Sequence, residues 1–177
     1  MKKITSKQRW FALPVIFAFM FFAIASTEEE VVSPDASQRL DLNTAGSAGS
    51  VEMKVTSVKT AKNIGDGEVF DKTVSDGGVY VIIHYSIKNI SKKPLGMFSQ
   101  PSIELVSNDD VVYEADLDAS STYATEVELD EKIVSDLNPG ITVNGADVFE
   151  VSEELFDVST WSVKASTDDG TIWFNLK

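Results

Sequence analysis

Hydrophobic and polar residues alternate along most of the chain after residue 50. The alternation begins at Val51 and is strongest in the run VYVIIHYSIK, which extends from Val79 to Lys88. A period of two residues is typical of a β-strand that buries one face. Because Tyr80 and Ile82 make the second face of this run apolar as well, we predict a central strand that is covered on both sides at one end.

The positions of the apolar residues also predict two hairpins and their registers. A three-residue loop at 108–110 would place Leu105 opposite Tyr113. The last hairpin needs a loop of two or four residues, and the Asp-Asp-Gly sequence at 168–170 supplies suitable turn residues. The face that its two strands must share consists of Trp161, Val163, Ala165, Ile172, Phe174 and Leu176.

About seven short strands, separated by turn residues and without a long helical pattern, predict an all-β fold. We interpret residues 51–177 as an immunoglobulin-like antiparallel β-sandwich domain. Residues 26–50 are acidic at their start and rich in Gly, Ser and Ala at their end, a composition that favours a flexible linker. One helical turn is expected at 153–157, before Trp161.

An N-terminal hydrophobic leader helix is expected at residues 1–25. Four basic residues precede an uncharged run from Trp10 to Ala25, which would span about 24 Å as a helix, less than the hydrocarbon core of a bilayer. Because Ala23 and Ala25 match a signal-peptidase site, we favour a signal peptide that is cleaved after Ala25. The alternative is an uncleaved membrane anchor, and mass spectrometry of the N-terminus distinguishes the two. Both alternatives place the remaining chain outside the cytoplasm.

The charge of the chain limits its partners. Lys and Arg number 15 and Asp and Glu number 28; without the four bases of the leader, 11 basic residues remain against 28 acidic ones, a net charge of −17. A protein with this net negative charge is repelled by phosphate backbones and by anionic lipid surfaces. We therefore expect no nucleic-acid binding, and membrane contact only through residues 10–25 if the leader is uncleaved.

Few residues of the sequence offer catalytic chemistry. The absence of cysteine excludes disulfides, thiol nucleophiles and a lipidated cysteine. His84 is the sole histidine, and no G-x-S-x-G or S-x-x-K motif is present, so we interpret it as an ordinary strand residue. We expect no enzyme, no catalytic residue and no cofactor.

Paired carboxylates leave one alternative open, a calcium site. Calcium takes carboxylate and loop carbonyl ligands, but the chain contains no D-x-[DN]-x-[DN]-G loop, and Asp also suits turn geometry by itself. We therefore name no metal ligand. The acid pairs are Asp109/Asp110, Asp116/Asp118 and Asp168/Asp169.

The segment from Leu117 to Lys132 is the candidate binding loop. It is long for a sandwich connection, and it places Tyr123 among the acids Asp118, Glu126 and Glu128. Long loops on rigid scaffolds often carry binding, and Tyr is favoured at contact hot spots. These acids predict a basic partner, with a solvated acidic loop as the alternative.

Most other aromatic side chains, Phe98 among them, are expected in the core of a sandwich. Trp173 is the exception, because it falls on the opposite face of its strand from Ile172 and Phe174. It is therefore the second candidate binding residue.

Several short motifs resemble one known family. They are VTSVKTAKNIGDG at 55–67, IKNISKKPL at 87–95, DLNPG at 136–140, VFEV at 148–151 and a closing strand rich in Trp and Phe. They resemble the bacterial exported immunoglobulin-like domain of unknown function related to secreted immunoprotective antigens. The resemblance covers residues 51–177 and implies a compact antiparallel sandwich attached by a leader and linker, with no settled activity. It also implies a cysteine after the leader in many relatives, which this chain lacks.

Together these observations favour a non-enzymatic extracytoplasmic binding or accessory module. Its partner would be an unknown extracytoplasmic protein or envelope component. One alternative class is a membrane-anchored structural envelope protein. Another is a carboxylate-based hydrolase, which would need two acids within about 10 Å of each other in a deep pocket.

Overall fold

Strands make up most of the structure, a computed structural model that describes residues 38–65, 67, 71–129 and 135–177. The described residues form eleven strands, one α-helix and one turn of 3-10 helix at Met97–Ser99. The single helix is α1 (Leu117–Glu126). The strands are β1 (Arg39–Leu40), β2 (Gly46–Ala48), β3 (Val51–Ala61), β4 (Asn63–Ile64), β5 (Lys72–Thr73), β6 (Gly78–Asn89), β7 (Ser102–Val106), β8 (Val112–Glu114), β9 (Thr142–Ser152), β10 (Ser162–Thr167) and β11 (Gly170–Asn175).

Two sheets form the expected β-sandwich. One has four strands in the order β2-β3-β6-β9, and the other has five in the order β1-β11-β10-β7-β8. All neighbours are antiparallel except β1 and β11, which are parallel. Residues from the facing sides of both sheets, such as Met53, Val81, Leu105 and Phe174, are fully buried in one core. The all-β prediction is confirmed, and short strands such as β1, β4 and β5 add to the seven expected.

The strand β6 is central, as predicted, and it is buried on both faces. Its inner face packs into the sandwich core through Val79, Val81, Ile83, Tyr85 and Ile87. On its outer face Tyr80 and Ile82 form a second apolar cluster with Ala119 and Tyr123 of α1. A strand with two apolar faces must be buried on both sides. The second sheet covers only the inner face of β6, and the helix covers the outer face.

Both predicted hairpin registers are confirmed. Leu105 lies opposite Tyr113 across a loop that contains Asn108 to Asp110. In the last hairpin Val163 lies opposite Phe174, and a two-residue turn joins β10 to β11. A one-residue slip in either pair would have turned the apolar face outward, which explains why the patterns determined the registers.

The linker prediction is wrong for residues 39–50. β1 pairs with Trp173 and Phe174 of β11, and β2 pairs with β3 with all three of its residues buried. Small residues there carry no apolar pattern, but they allow the end of β2 to lie close to the turn before β11: a Cβ at Gly49, just after β2, would clash with the Asp169 side chain. The composition resembled that of a linker because these positions need small side chains rather than flexibility.

The loop expected after Leu117 is a helix over most of its length, because residues 117–126 form α1. The side chain of Asp116 caps the helix by accepting hydrogen bonds from the N–H groups of Asp118 and Ala119 at 3.0 and 2.9 Å. Ala119 and Tyr123, four residues apart, lie on one face of the helix and are buried against the sheet. Residues 130–132 of the expected loop lie outside the described residues.

The predicted leader covers residues 1–25, which lie outside the described residues, as do 26–37 of the expected linker. Within the part of the chain that the structure describes, no helix is long and apolar enough to cross a membrane.

We predict that Phe174→Ala costs about 3–5 kcal/mol in the free energy of unfolding. The side chain of Phe174 is fully buried between the two sheets, and its truncation removes apolar contacts and leaves a cavity. Urea denaturation measures the loss. The control is Thr171→Val on the outward face of β11, which keeps a β-branched side chain and should change stability by about 0.5 kcal/mol or less. A loss below about 1 kcal/mol for Phe174→Ala would contradict the placement of this face.

Candidate functional site

One end of the sandwich is organised around the side chain of Asn89, which is fully buried. Its Nδ2 donates to the backbone carbonyls of Lys93 and Leu137, both at 2.7 Å. Its Oδ1 accepts from the N–H and the hydroxyl of Ser91, both at 2.8 Å. One amide therefore holds the turn that follows β6 and ties it to the Leu-Asn-Pro-Gly turn before β9.

Backbone hydrogen bonds reinforce this connection. Leu95 and Leu137 exchange N–H···O bonds of 2.9 and 2.8 Å, and the Gly140 N–H donates to the Asn89 carbonyl at 2.8 Å. The Ile90 N–H donates to the Ser50 carbonyl at 3.0 Å, which brings the β2–β3 turn to the same end. We call this part of the molecule, residues 89–101 and 137–141, the Asn89 end.

The Asn89 end exposes several large apolar side chains on this fixed backbone. Phe98, in the short 3-10 helix, is 93% exposed, and Met97 beside it is 44% exposed. Ile90 and Ile141 are 40% and 44% exposed. Single exposed apolar residues are ordinary, but four on one end of a domain, on loops held by buried hydrogen bonds, are typical of an interaction surface.

An open groove of about 840 Å³ lies at the opposite end of the sandwich. It is lined by residues 75–78, residues 150–154 and Tyr113, and a smaller cavity of about 510 Å³ lies near Phe156. The groove contains the acidic residues Asp76, Glu150, Glu153 and Glu154. It is therefore the place where a carboxylate hydrolase would have to assemble its acids.

Two of the groove acids are engaged in holding the structure. Glu150 Oε1 accepts from the Ser75 N–H at 2.8 Å, and Glu153 Oε2 lies 2.6 Å from Nζ of Lys62. The Glu150 contact holds the turn that begins β6, and Lys62 also donates to the Gly78 carbonyl at the start of that strand. Among the described residues, no group of three or more His, Asp or Glu side chains could hold a metal ion.

The predicted binding residue Tyr123 is not on an exposed loop. It is 4% exposed, and its hydroxyl lies 2.9 Å from Nε2 of His84 on the outer face of β6. Burial, with a contribution from Lys59, lowers the pKa of His84, which favours its neutral form. The pair fastens the helix to the sheet, so a change at Tyr123 would act first on packing.

The three acids predicted with Tyr123 lie on or after α1 and are exposed. Asp118 forms an ion pair with Lys72, and Glu126 accepts a hydrogen bond from the Gly65 N–H at 2.8 Å. Glu128 lies just after the helix with a positive φ of 50°. The structure thus brings Asp118 and Glu126 to the loops around β4 and β5, and it does not bring the three acids together around Tyr123.

Trp173 lies on the outward face of β11, as its position in the alternation predicts. Its ring is half-buried because the guanidinium of Arg39 lies over it, 5.5 Å from the ring centroid. This cover comes from β1, in the segment expected to be linker.

Asp147 is a further acid with an unusual environment. It lies on the inner side of β9, half-buried, with the Tyr85 hydroxyl 3.4 Å from its Oδ1. Burial raises the pKa of Asp147 to about 6 and also raises the pKa of Tyr85. Gly145 makes room for this pair, because a Cβ there would lie 2.7 Å from the Tyr85 ring. Asp147 lines neither the groove nor the smaller cavity, and burial is the main cause of its raised pKa.

Sequence reasoning missed both determinants of the Asn89 end. Asn89 continues the inward-facing series of β6, so the alternation itself marked it as a polar residue at a core position. Phe98 was expected in the core and is almost fully exposed. No periodic pattern surrounds Phe98, and its exposure could not be predicted from its residue type.

Comparisons with known proteins identify a family without an established activity. A family profile described as "Domain of unknown function (DUF4352)" matches residues 40–158. The chain is similar to the uncharacterized protein YxkC of Bacillus subtilis (strain 168), with 46% identity over 118 residues. That match covers 66% of this chain and 65% of the relative, so the chain spans less than two thirds of that protein's length.

Solved structures share the fold. A conserved hypothetical protein from Bacillus anthracis is 23% identical, with a TM-score of 0.63, over 76% of this chain and 96% of the other. An uncharacterized β-sandwich protein from Clostridium difficile 630 is 14% identical, with a TM-score of 0.54, over 82% and 99%. The yjhA protein from Bacillus subtilis is 13% identical, with a TM-score of 0.52, over 78% and 99%.

These findings confirm the expected domain of unknown function and the sandwich fold. The names of the matched proteins give no support to the expected relation to secreted immunoprotective antigens.

We predict that Asn89→Ala destabilises the fold by about 2–4 kcal/mol. The change removes one of the two hydrogen bonds that each of the carbonyls of Lys93 and Leu137 accepts, and it removes a fully buried side chain. Denaturant unfolding measures the loss, and hydrogen exchange should show faster amide exchange in residues 90–100. The matched control is Asn138→Ala, an exposed asparagine of the neighbouring turn. Equal stability of the two variants would contradict the role given to Asn89.

We predict that Asp147 makes the fold less stable as the pH rises through about 6. Because its folded pKa is raised, the folded state binds the proton more tightly than the unfolded state, and this contribution is present at pH 4 and lost above pH 6. The free energy of unfolding, measured between pH 4 and pH 8, should fall by about 1–2 kcal/mol more in the wild type than in Asp147→Asn. Parallel pH profiles for the two proteins would contradict this assignment.

Proposed function

The chain belongs to the family of domains of unknown function DUF4352, and we propose that it acts as a non-enzymatic extracytoplasmic binding or accessory module whose contact surface is the Asn89 end. The extracytoplasmic part of the proposal rests on the sequence of residues 1–25, a basic start followed by an uncharged apolar run and an A-x-A site. The binding part rests on the surface described above.

The observation that carries the proposal is the exposure of Phe98 on a fixed loop. The side chain of Phe98 is 93% exposed, so it contributes nothing to the core. Its exposed apolar area is unfavourable in water, and burial against a partner would remove that cost. Its loop is held by the buried amide of Asn89 and by the Leu95–Leu137 pair, so its backbone is ordered before any partner arrives. A preordered loop binds at a lower entropic cost than a flexible one.

The non-enzymatic part of the proposal is supported by the contacts of the polar side chains that could act in catalysis. Glu150 and Glu153 in the groove are tied to Ser75 and Lys62, and His84 is fastened to Tyr123 under the helix. A hydrolase would need an acid and a second carboxylate free to act on a substrate between them. Glu150 and Glu153 instead contact the Ser75 N–H and the Lys62 ammonium.

Site-specific photo-crosslinking in cells tests the contact surface. A photoreactive amino acid at position 98 of the full-length protein should form adducts with an envelope component. The matched control is position 155, because Leu155 is also exposed, at 62%, but lies near the opposite end of the sandwich. Adducts at position 98 and none at position 155 would support the proposal. Adducts at position 155 alone, or at neither position, would overturn it.

A further inference from the structure

The direction of β1 shows which of its residues lies nearer the Asn89 end. β11 begins at Gly170, and the turn before it meets Gly49, whose Cβ would clash with Asp169. Gly49 lies next to Ser50, which is bonded to Ile90 at the Asn89 end. Because β1 is parallel to β11, it also runs away from the Asn89 end, and its first residue, Arg39, is nearer that end than Leu40.

The apolar run of the leader is close to β1 in sequence. The run ends at Ala25, and twelve residues, 26–37, separate it from Gln38. Fully extended, the thirteen steps from Ala25 to Gln38 span at most about 47 Å. In the form of the protein that retains residues 10–25, a bilayer that holds this run lies within that distance of Gln38.

From this arrangement we propose that the Asn89 end docks on the surface of the bilayer, with Phe98 and Met97 entering the interface. This inference rests on the proposed function, names the partner of that surface as a lipid bilayer, and extends the expected membrane contact beyond residues 10–25. Apolar side chains that project from a polar surface are the groups that enter the boundary between headgroups and acyl chains. Burial of one phenylalanine side chain favours the docked state by roughly tenfold to a hundredfold.

The charges at the Asn89 end favour a neutral bilayer. Lys92 and Lys93 are exposed there, and the acidic residues Asp136, Asp168 and Asp169 are exposed in the adjoining turns. The Asn89 end and these adjoining turns together therefore have no excess of positive charge that would select anionic lipids, and the rest of the domain is strongly acidic. The contact should depend on apolar burial and only weakly on salt.

Single-site fluorescence labelling tests the docking, and the absence of cysteine makes it specific. The full-length variants Phe98→Cys and Leu155→Cys are labelled with an environment-sensitive dye and reconstituted into phosphatidylcholine vesicles. Both proteins carry the same apolar run, so the comparison isolates the orientation of the domain. At position 98 we expect a blue shift, a severalfold rise in emission and quenching by brominated lipid. At position 155 the emission should remain that of a water-exposed dye.

The outcomes separate this inference from the proposed function. Water-like emission at position 98, or equal quenching at both positions, would overturn bilayer docking. If position 98 is water-like in vesicles but crosslinks to a protein in cells, the binding surface is retained and its partner is a protein. If lipid docking and crosslinking both fail at position 98, both proposals are wrong.

Discussion

The structure depends on a single constraint, the burial of β6 on both faces. A strand that is apolar on one side can complete a two-layer sandwich, but Tyr80 and Ile82 would remain in water on the other side. The helix α1 removes that exposure with Ala119 and Tyr123, and the caps and contacts of the helix follow from this requirement. Asp116 caps the start of the helix, and its N–H donates to the Val148 carbonyl of β9 at 2.8 Å. This residue thus connects the helix to the sheet that the helix covers.

The sequence predicted those elements whose faces differ strongly in polarity. The register of Leu105 against Tyr113 followed because a slip would expose an entire face. The helix was not predicted because only two of its residues form a buried apolar stripe. The apolar surface that it buries belongs to β6, more than thirty residues earlier in the chain. When a helix is stabilised by packing on a strand that is distant in sequence, the hydrophobic pattern of the helix segment alone does not predict it.

The candidate site was predicted less well than the fold, for a related reason. The motif that contains Asn89 was noticed, but its role depends on the carbonyl of Leu137, which is 48 residues away. Acids that looked like binding residues, Asp118 and Glu126, instead form local contacts with Lys72 and Gly65. In a chain with so many acids, residue type alone does not distinguish a contact that holds a loop from one that binds a partner.

The pairing of β1 with β11 has a consequence for the order in which the domain folds. The Asn175 side chain donates to Asp41 at 2.8 Å across 134 residues, and the adjacent strands come from the two ends of the described chain. A chain that emerges N-terminus first cannot complete this edge until β11 has emerged, so Arg39 and Leu40 must stay unpaired meanwhile. Closing so long a loop is entropically costly and slow, and we infer that this edge forms last. Loss of the last strand would therefore also release the first one.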